Sequence, residues 1–283
     1  MTPDKNIPVA GGVNFHPEEL LLSTQVCDKF FRDNGVWEKF RDQTVLDVGC
    51  ATGFFTERIA AAAARVYSCD ISFDNVSACR RLSPSPKIVC LSANAEILPF
   101  NSGTFDSVFV NSVVEHLDAP ELFFAEVFRV LKPGGEFVMS VDIKPKISWI
   151  FYRLTFLFDK MVAPDHPMLH RKTALSDPSC TEFIAPDRLL AALEPLFTLV
   201  EKQKFAGLFF NLMQVSLVIV NKLYQIASGS NFTEDHYADH MERLNRPIFR
   251  IYRGLLPLFR LIAYPRFLTF DAIYLFLRMK KAF

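Results

Sequence analysis

Short apolar runs alternate with amphipathic stretches through the first half of the chain. Thr44–Val48, Arg65–Cys69, Lys87–Ser92, Phe105–Val110 and Glu136–Asp142 read as strands. Between them Phe54–Ala64, Phe73–Leu82 and Pro120–Leu131 carry helical spacing. Ser83-Pro84-Ser85-Pro86 stops the second of these helices, and Lys132-Pro133-Gly134-Gly135 predicts a sharp turn into the fifth strand. Upstream, a loose arm over residues 1–16 leads into a helix opened by His16-Pro17-Glu18-Glu19 and stopped near Asn34-Gly35. Strand and helix in strict alternation indicate parallel β-α units, hence an α/β doubly wound sheet. Val108-Phe109-Val110 is continuously apolar, as a strand buried on both faces should be.

The rhythm changes after residue 142. Ile147–Phe158 is rich in aromatic residues, Pro186–Leu193 reads as a helix and Leu196–Gln203 as a strand. Met213–Val220 is read as a last strand, with a helix the alternative, which brings the sheet to about seven strands. From about Tyr224 the chain reads as a helical extension whose final helix is Arg266–Phe283. The expected organisation is an N-terminal arm and helix (1–43), a core domain (44–222) with an insertion at 143–182, and a basic, apolar helical extension (223–283).

Composition adds a constraint and an asymmetry. Half of the 283 residues are hydrophobic, enough for a substantial core, and the formal net charge is zero, which argues against a general nucleic-acid binder. The charge is unevenly spread. From Arg243 onward nine basic residues face one acidic residue, Asp271, so that segment carries +8 and the first 242 residues −8. Arg246, Arg250, Arg253 and Arg260 fall close to one helical stripe amid Phe249, Tyr252, Leu256 and Phe259. That pattern suits either a helical cap over the core or a peripheral contact of 243–283 with a membrane, apolar faces dipping in and basic side chains meeting anionic headgroups. Ala206–Asn221 is too short an uncharged run to span a bilayer comfortably.

The six cysteines include no C-x-x-C pair, and the start Met1-Thr2-Pro3-Asp4-Lys5-Asn6 has no apolar signal core. Free thiols in a cytoplasmic chain are expected, held on the cytoplasmic face of a membrane if 243–283 binds one. His166/His170 and His236/His240 are spaced i, i+4, but Pro167 and the surrounding carboxylates Glu234, Asp235, Asp239 and Glu242 speak against metal ligation, so no metal is expected. Nothing in the sequence assigns an oligomeric state.

The informative chemistry lies at Val45-Leu46-Asp47-Val48-Gly49-Cys50-Ala51-Thr52-Gly53-Phe54, a strand entering a small-residue turn and then a helix. Glycines at 49 and 53 allow backbone angles and close approach that a side chain blocks, and the helix start offers N–H donors and a positive dipole end to an anionic group. Asp70 falls 21 residues after Gly49, at the tip of the second strand, where a carboxylate can accept hydrogen bonds from ribose hydroxyls. This is a Rossmann-like arrangement for a nucleotide-like cofactor. The glycine register, Gly49-x-x-x-Gly53, differs from the G-x-G-x-x-G of dinucleotide binders, which counts against a nicotinamide-dependent oxidoreductase. Asp47 near the strand tip suits an ammonium group.

Asp47-Val48-Gly49-Cys50-Ala51-Thr52-Gly53 resembles the first motif of class I S-adenosylmethionine-dependent methyltransferases. Ala93–Phe100 followed by Gly103-Thr104-Phe105-Asp106, then Val113-Val114-Glu115-His116-Leu117 and Arg129–Gly135, are similar to that family's later motifs in the same order. The nearest pattern is the branch with quinone and small-molecule methyltransferases. The resemblance implies S-adenosyl-L-methionine as cofactor. Asp47, Gly49, Cys50, Ala51 and Gly53 would line its methionine end, Asp70 would hold the ribose, Ile71 would pack on the adenine face, Asn94 and Ala95 would meet the adenine edge, and Asn111 would contact the methionine moiety through its backbone. Two positions depart from the pattern, Ala51 for glycine and Asn94 for aspartate.

Methyl transfer draws its reactive group from the cofactor and leaves positioning and desolvation to the protein. An O- or N-acceptor that must lose a proton needs a base, and His116, just beyond the fourth strand, is the candidate catalytic residue, with Glu115 beside it the weaker one. The expected function is methylation of a hydrophobic or lipid-linked small-molecule acceptor. The alternatives are a soluble small-molecule acceptor and a catalytically silent S-adenosylmethionine-binding scaffold.

Overall fold

The computed structural model describes residues 22–144, 175–177, 180–206 and 272–282. Seven strands form a mixed sheet in the order β3-β2-β1-β4-β5-β9-β8, and β6 pairs with β7 separately. By its contacts the chain divides into two units, residues 1–93 and 94–283.

The first unit carries α1 (Leu22–Asp33), a 3-10 turn (Trp37–Phe40), β1 (Thr44–Val48), α2 (Phe54–Ala62), β2 (Arg65–Asp70), α3 (Phe73–Leu82) and β3 (Ile88–Ser92). β1, β2 and β3 are parallel, with Val48 opposite Cys69 and Asp70 opposite Ser92. A short isolated helix is marginal in water, so α1 owes its stability to docking. Phe31 meets Trp37 and Phe55 edge-on, with ring centroids 5.2 and 5.7 Å apart. The buried Asp28 carboxylate pairs with Arg32 of its own helix at 3.1 Å and with Arg58 of α2 at 3.5 Å. Gly35, at φ +60°, ends the helix as expected.

The second unit carries β4 (Phe105–Asn111), a 3-10 turn (Val114–His116), α4 (Pro120–Val130), β5 (Leu131–Asp142), β6 (Ser176–Asp177), β7 (Cys180–Ile184), α5 (Pro186–Leu193), β8 (Phe197–Phe205) and β9 (Tyr274–Lys281). β4 and β5 are parallel, and β9 runs antiparallel to both β5 and β8. The expected turn at Lys132–Gly135 lies inside β5 as a bulge. Leu131 pairs with Phe105 and the next pairing is Glu136 with Ser107, so four residues loop outward. A Cβ on Gly135 would stand 2.9 Å from the Asp106 carbonyl oxygen, which is why the bulge needs glycine there.

One expectation is corrected. The last helix, read over Arg266–Phe283, is strand β9 across Tyr274–Lys281. Tyr274-Leu275-Phe276-Leu277 is buried on both faces, and such a run has neither a period-2 nor a period-3.6 signature. Arg278 is retained in this strand because it pairs with Glu136 of β5 at 3.1 Å and Glu201 of β8 at 3.2 Å. The end of the supposed extension is therefore part of the main sheet, and β9 supplies the seventh strand that had been sought at Met213–Val220. That stretch, the aromatic run 147–158, the four spaced histidines and the arginine stripe at 246–260 lie outside the described residues. Among the described residues no helix is long and apolar enough to cross a membrane.

Candidate functional site

The carboxyl ends of β1 and β2 bring Asp47, the Gly49–Gly53 turn and Asp70 together, because parallel neighbours in register end side by side. Asp70 organises the turn. Its Oδ2 accepts from the Ala51 N–H at 3.0 Å, and its Oδ1 from the Ser72 N–H at 2.9 Å and Asn75 Nδ2 at 3.2 Å. A carboxylate offers about four acceptor positions. Three are used, which leaves Oδ2 able to accept from a ligand hydroxyl. The exposed Ile71 side chain, 75% accessible, follows directly, an apolar surface beside a polar one.

Asp47 is 2% exposed, and Thr56 Oγ1 of α2 donates to its Oδ2 at 2.6 Å. Burial raises its pKa to about 7 against the lowering by Thr56, with Asp70 adding to the rise. A carboxyl so poised gains most from a cation, since a positive partner favours the ionised form. Together, a buried carboxyl lacking a counter-charge among the described residues and a half-buried one fixed by backbone N–H groups fit the ammonium and ribose ends of S-adenosylmethionine.

The turn itself is closed by backbone hydrogen bonds. The N–H groups of Gly49 and Cys50 both donate to Cys69 O, at 2.8 and 3.0 Å, and that of Gly53 to Cys50 O at 2.9 Å. An anionic group would therefore meet the first turn of α2 and not these N–H groups. Cys50 turns its thiol into a buried cluster with Val76, Cys79 and Cys90, with a contact back to Ala51 O at 3.6 Å. Ala51 stands at φ +46°, the left-handed region where its Cβ is strained. Ala51→Gly is expected to stabilise the chain by about 1 kcal/mol, read as a higher denaturant midpoint with unchanged slope; a lower midpoint would show that the methyl group contributes packing that outweighs the strain.

In the second unit Asn94 and Ala95 open the loop after β3. Asn94 is exposed and its Oδ1 accepts from the Glu96 N–H at 2.9 Å, which leaves the second lone pair for a ligand donor. The loop is tied to α4 by Arg129, which donates to Phe100 O and Leu98 O at 2.6 and 3.0 Å, and by Glu126, which accepts from the Leu98 N–H at 2.7 Å. Glu96 in turn accepts from the Ala119 N–H at 2.6 Å, ahead of α4. Asn111 ends β4, and its Oδ1 accepts from Ser140 Oγ at 2.6 Å.

His116 lies on the 3-10 turn beyond β4 and is exposed, and partial desolvation pushes its imidazole below the usual histidine value, toward the neutral form. Glu115 points inward at 3% exposure, and neither of its oxygens meets a donor. Burial and the facing Asp142 carboxyl push its titration well up, and burial raises Asp142 to about 6 despite a hydrogen bond from Ser112. No motif in the sequence assigns Asp142 a role. Its place beside Glu115 depends on the parallel register of β4 and β5, which no local pattern reveals. Among the described residues no group of three metal-ligating side chains forms.

Residues 46–139 match the family model described as "Methyltransferase domain". The chain is 30% identical over 175 residues to the mitochondrial ubiquinone biosynthesis O-methyltransferase of Rattus norvegicus, a match covering 59% of this chain and 47% of that protein. It is 31% identical over 157 residues to the demethylmenaquinone methyltransferase of Symbiobacterium thermophilum, covering 51% and 62%. The chain thus spans about half the length of the curated relatives it matches. Its fold is shared with the N-methyltransferase NodS from Bradyrhizobium japonicum WM9, solved with S-adenosyl-L-homocysteine, at a TM-score of 0.50 and 14% identity, covering 90% of this chain and 87% of that one.

Proposed function

We propose, from the match of residues 46–139 to a methyltransferase domain, that the chain is an S-adenosylmethionine-dependent methyltransferase acting on a hydrophobic, lipid-like small molecule. The observation that carries this reading is the Asp70 carboxylate, fixed between the backbone of the glycine turn and the start of α3 with one acceptor position open. Asp47 would hold the ammonium group. Gly49, Ala51 and Gly53, with the backbone of Cys50, would shape the methionine end, Ile71 would cover the adenine face, and Asn94, Ala95 and Asn111 would complete the contacts. The bound cofactor would supply an electrophilic methyl group. The protein's part is to bind, orient and dehydrate the acceptor and to take up its proton. His116, whose pKa desolvation lowers, is a candidate for that last role.

An apolar acceptor is supported by relatives named for ubiquinone biosynthesis and for demethylmenaquinone. Ahead of β9, residues 243–273 carry six basic residues against Asp271, a net +5 that would give the chain a means of reaching such an acceptor at an anionic membrane surface, on the cytoplasmic side. The test is transfer of a labelled methyl group from S-adenosylmethionine into a total cell extract, partitioned between organic and aqueous phases. Label in the organic phase is expected. Label confined to water would replace the lipid-like acceptor by a soluble one, and cofactor binding with no labelled product would leave a silent scaffold.

A further inference from the structure

Two buried or half-buried carboxyls with no basic partner are costly to keep, because an ionised carboxylate removed from water loses far more than a neutral acid does. Glu115 and Asp142 are such a pair. Among the described residues both Glu115 oxygens are buried without a donor, and the 3-10 turn that carries Glu115 packs against β5, whose last residue, Asp142, helps to push the Glu115 carboxyl up. Two carboxyls can hydrogen-bond only by sharing a proton, so one of them is an acid and the other a carboxylate. The placement is held by the fold. Ser112 adopts φ +51°, a left-handed angle unusual for serine. Its N–H donates to Ser140 O at 3.0 Å and its hydroxyl to Asp142 Oδ1 at 3.3 Å. Strain retained where it delivers a hydroxyl to one carboxylate oxygen marks Asp142 as the ionised member and Glu115 as the one that keeps the proton.

Asp142 is also well placed. It ends β5 at the carboxyl edge of the sheet, where ligand sites of this fold class open. It lies two residues beyond Ser140, the register partner of Asn111, which is itself a proposed cofactor contact.

We propose that Asp142 is the general base for an acceptor hydroxyl and that Glu115 is the positioning residue that holds its proton-sharing partner. The proposal rests on the methyltransferase reading and narrows it to O-methylation. The acceptor O–H proton passes to the Asp142 carboxylate as the oxygen forms its bond to the methyl carbon. The carbon–sulfur bond breaks, its electron pair stays on sulfur, and the sulfonium becomes a neutral thioether. The proton then leaves Asp142 for solvent. Burial and Asp142 push the Glu115 carboxyl well up, so it is the member assigned the proton, and its hydrogen bond favours the ionised form of Asp142. The other ionisable residues whose side chains are described on the elements packed here are His116 on the same turn, Lys144 after β5 and Tyr274, the β9 partner of Asp142.

The experiment uses the full chain with two acceptors, 4-hexylcatechol, whose hydroxyls are protonated at neutral pH, and 4-hexylthiophenol, whose thiol is largely ionised there. S-adenosylmethionine affinity is measured in parallel by calorimetry. Asp142→Asn is expected to leave that affinity within a few-fold. It should lower kcat on the catechol at pH 7 on the order of 100-fold or more, the usual worth of a general base. It should also remove the fall in kcat below about pH 6, and leave the thiol reaction within a few-fold. Glu115→Gln, which still offers a donor to Asp142, should retain most of the catechol activity, whereas Glu115→Leu should lose it. Equal losses on both acceptors, an unchanged catechol rate in Asp142→Asn, or loss of the acid limb in His116→Ala but not in Asp142→Asn would overturn the proposal. Wild-type chain that methylates only the thiol would also overturn it while leaving the methyltransferase reading intact. Wild-type chain that does not bind the cofactor would remove that reading itself.

Discussion

Asp70→Ala is expected to weaken S-adenosylmethionine binding on the order of 100-fold. A hydrogen bond to a charged group contributes about 1.5–3 kcal/mol, and each 1.4 kcal/mol is tenfold in affinity. The substitution removes the acceptor for a ribose hydroxyl. It also frees the Ala51 and Ser72 N–H groups that now converge on the carboxylate at 3.0 and 2.9 Å, so the turn loses its fixed shape as well. Asp70→Asn separates these effects. It keeps one carbonyl oxygen for the backbone but gives up the charge and one acceptor, so an intermediate loss of about tenfold is expected. Calorimetric titration of each variant, with thermal melts to confirm folding, reads the difference. Unchanged affinity in a folded Asp70→Ala protein would remove Asp70 from the cofactor site and with it the main support for the reading.

Gly53→Ala is expected to cost about 2–4 kcal/mol of stability, combining left-handed backbone strain with overpacking. Gly53 sits at φ +99°, and a Cβ there would stand 2.7 Å from both Cys79 Sγ and Ser83 Oγ. The sequence suggested that this glycine lets a cofactor come close. The structure shows that it first lets α3 come close to the turn, with Ser83 Oγ donating to Gly53 O at 3.4 Å. Denaturant unfolding of Gly53→Ala, Cys79→Ala and the double variant forms a cycle. If the clash is real, the double variant is more stable than the sum of the two single losses predicts. Strict additivity would assign the whole cost to the backbone angle.

Much of the first unit was legible because its signals are local. Thr44–Val48 and Phe73–Leu82 fall where the apolar pattern placed them, and Phe54–Ala64 ends only two residues early, at Ala62. Local spacing also brought Asp70 to the glycine turn, since one β-α-β unit joins them through a single helix. Ala51 was noted as a departure from the glycine pattern, yet its consequence, a positive φ, is a property of the backbone that only the fold supplies. Cys50 lies in the turn, and the direction of its thiol depends on α3 and β3 packing beneath.

What the sequence determined by itself is therefore what short-range physics controls: strand–helix alternation, the glycine turn at β1, the acidic tip of β2 and the charge imbalance toward the end. The tertiary structure decided whatever depends on long-range pairing. The run Tyr274–Lys281 is a strand and not a helix because β5 and β8 bury both of its faces, and Glu136 and Glu201 neutralise its arginine. Asp142 faces Glu115 across 27 residues of sequence only because β4 and β5 lie parallel and end together. In isolation either carboxylate would read as a solvated acid. Paired away from water they must share a proton, and that property belongs to the fold, not to either residue.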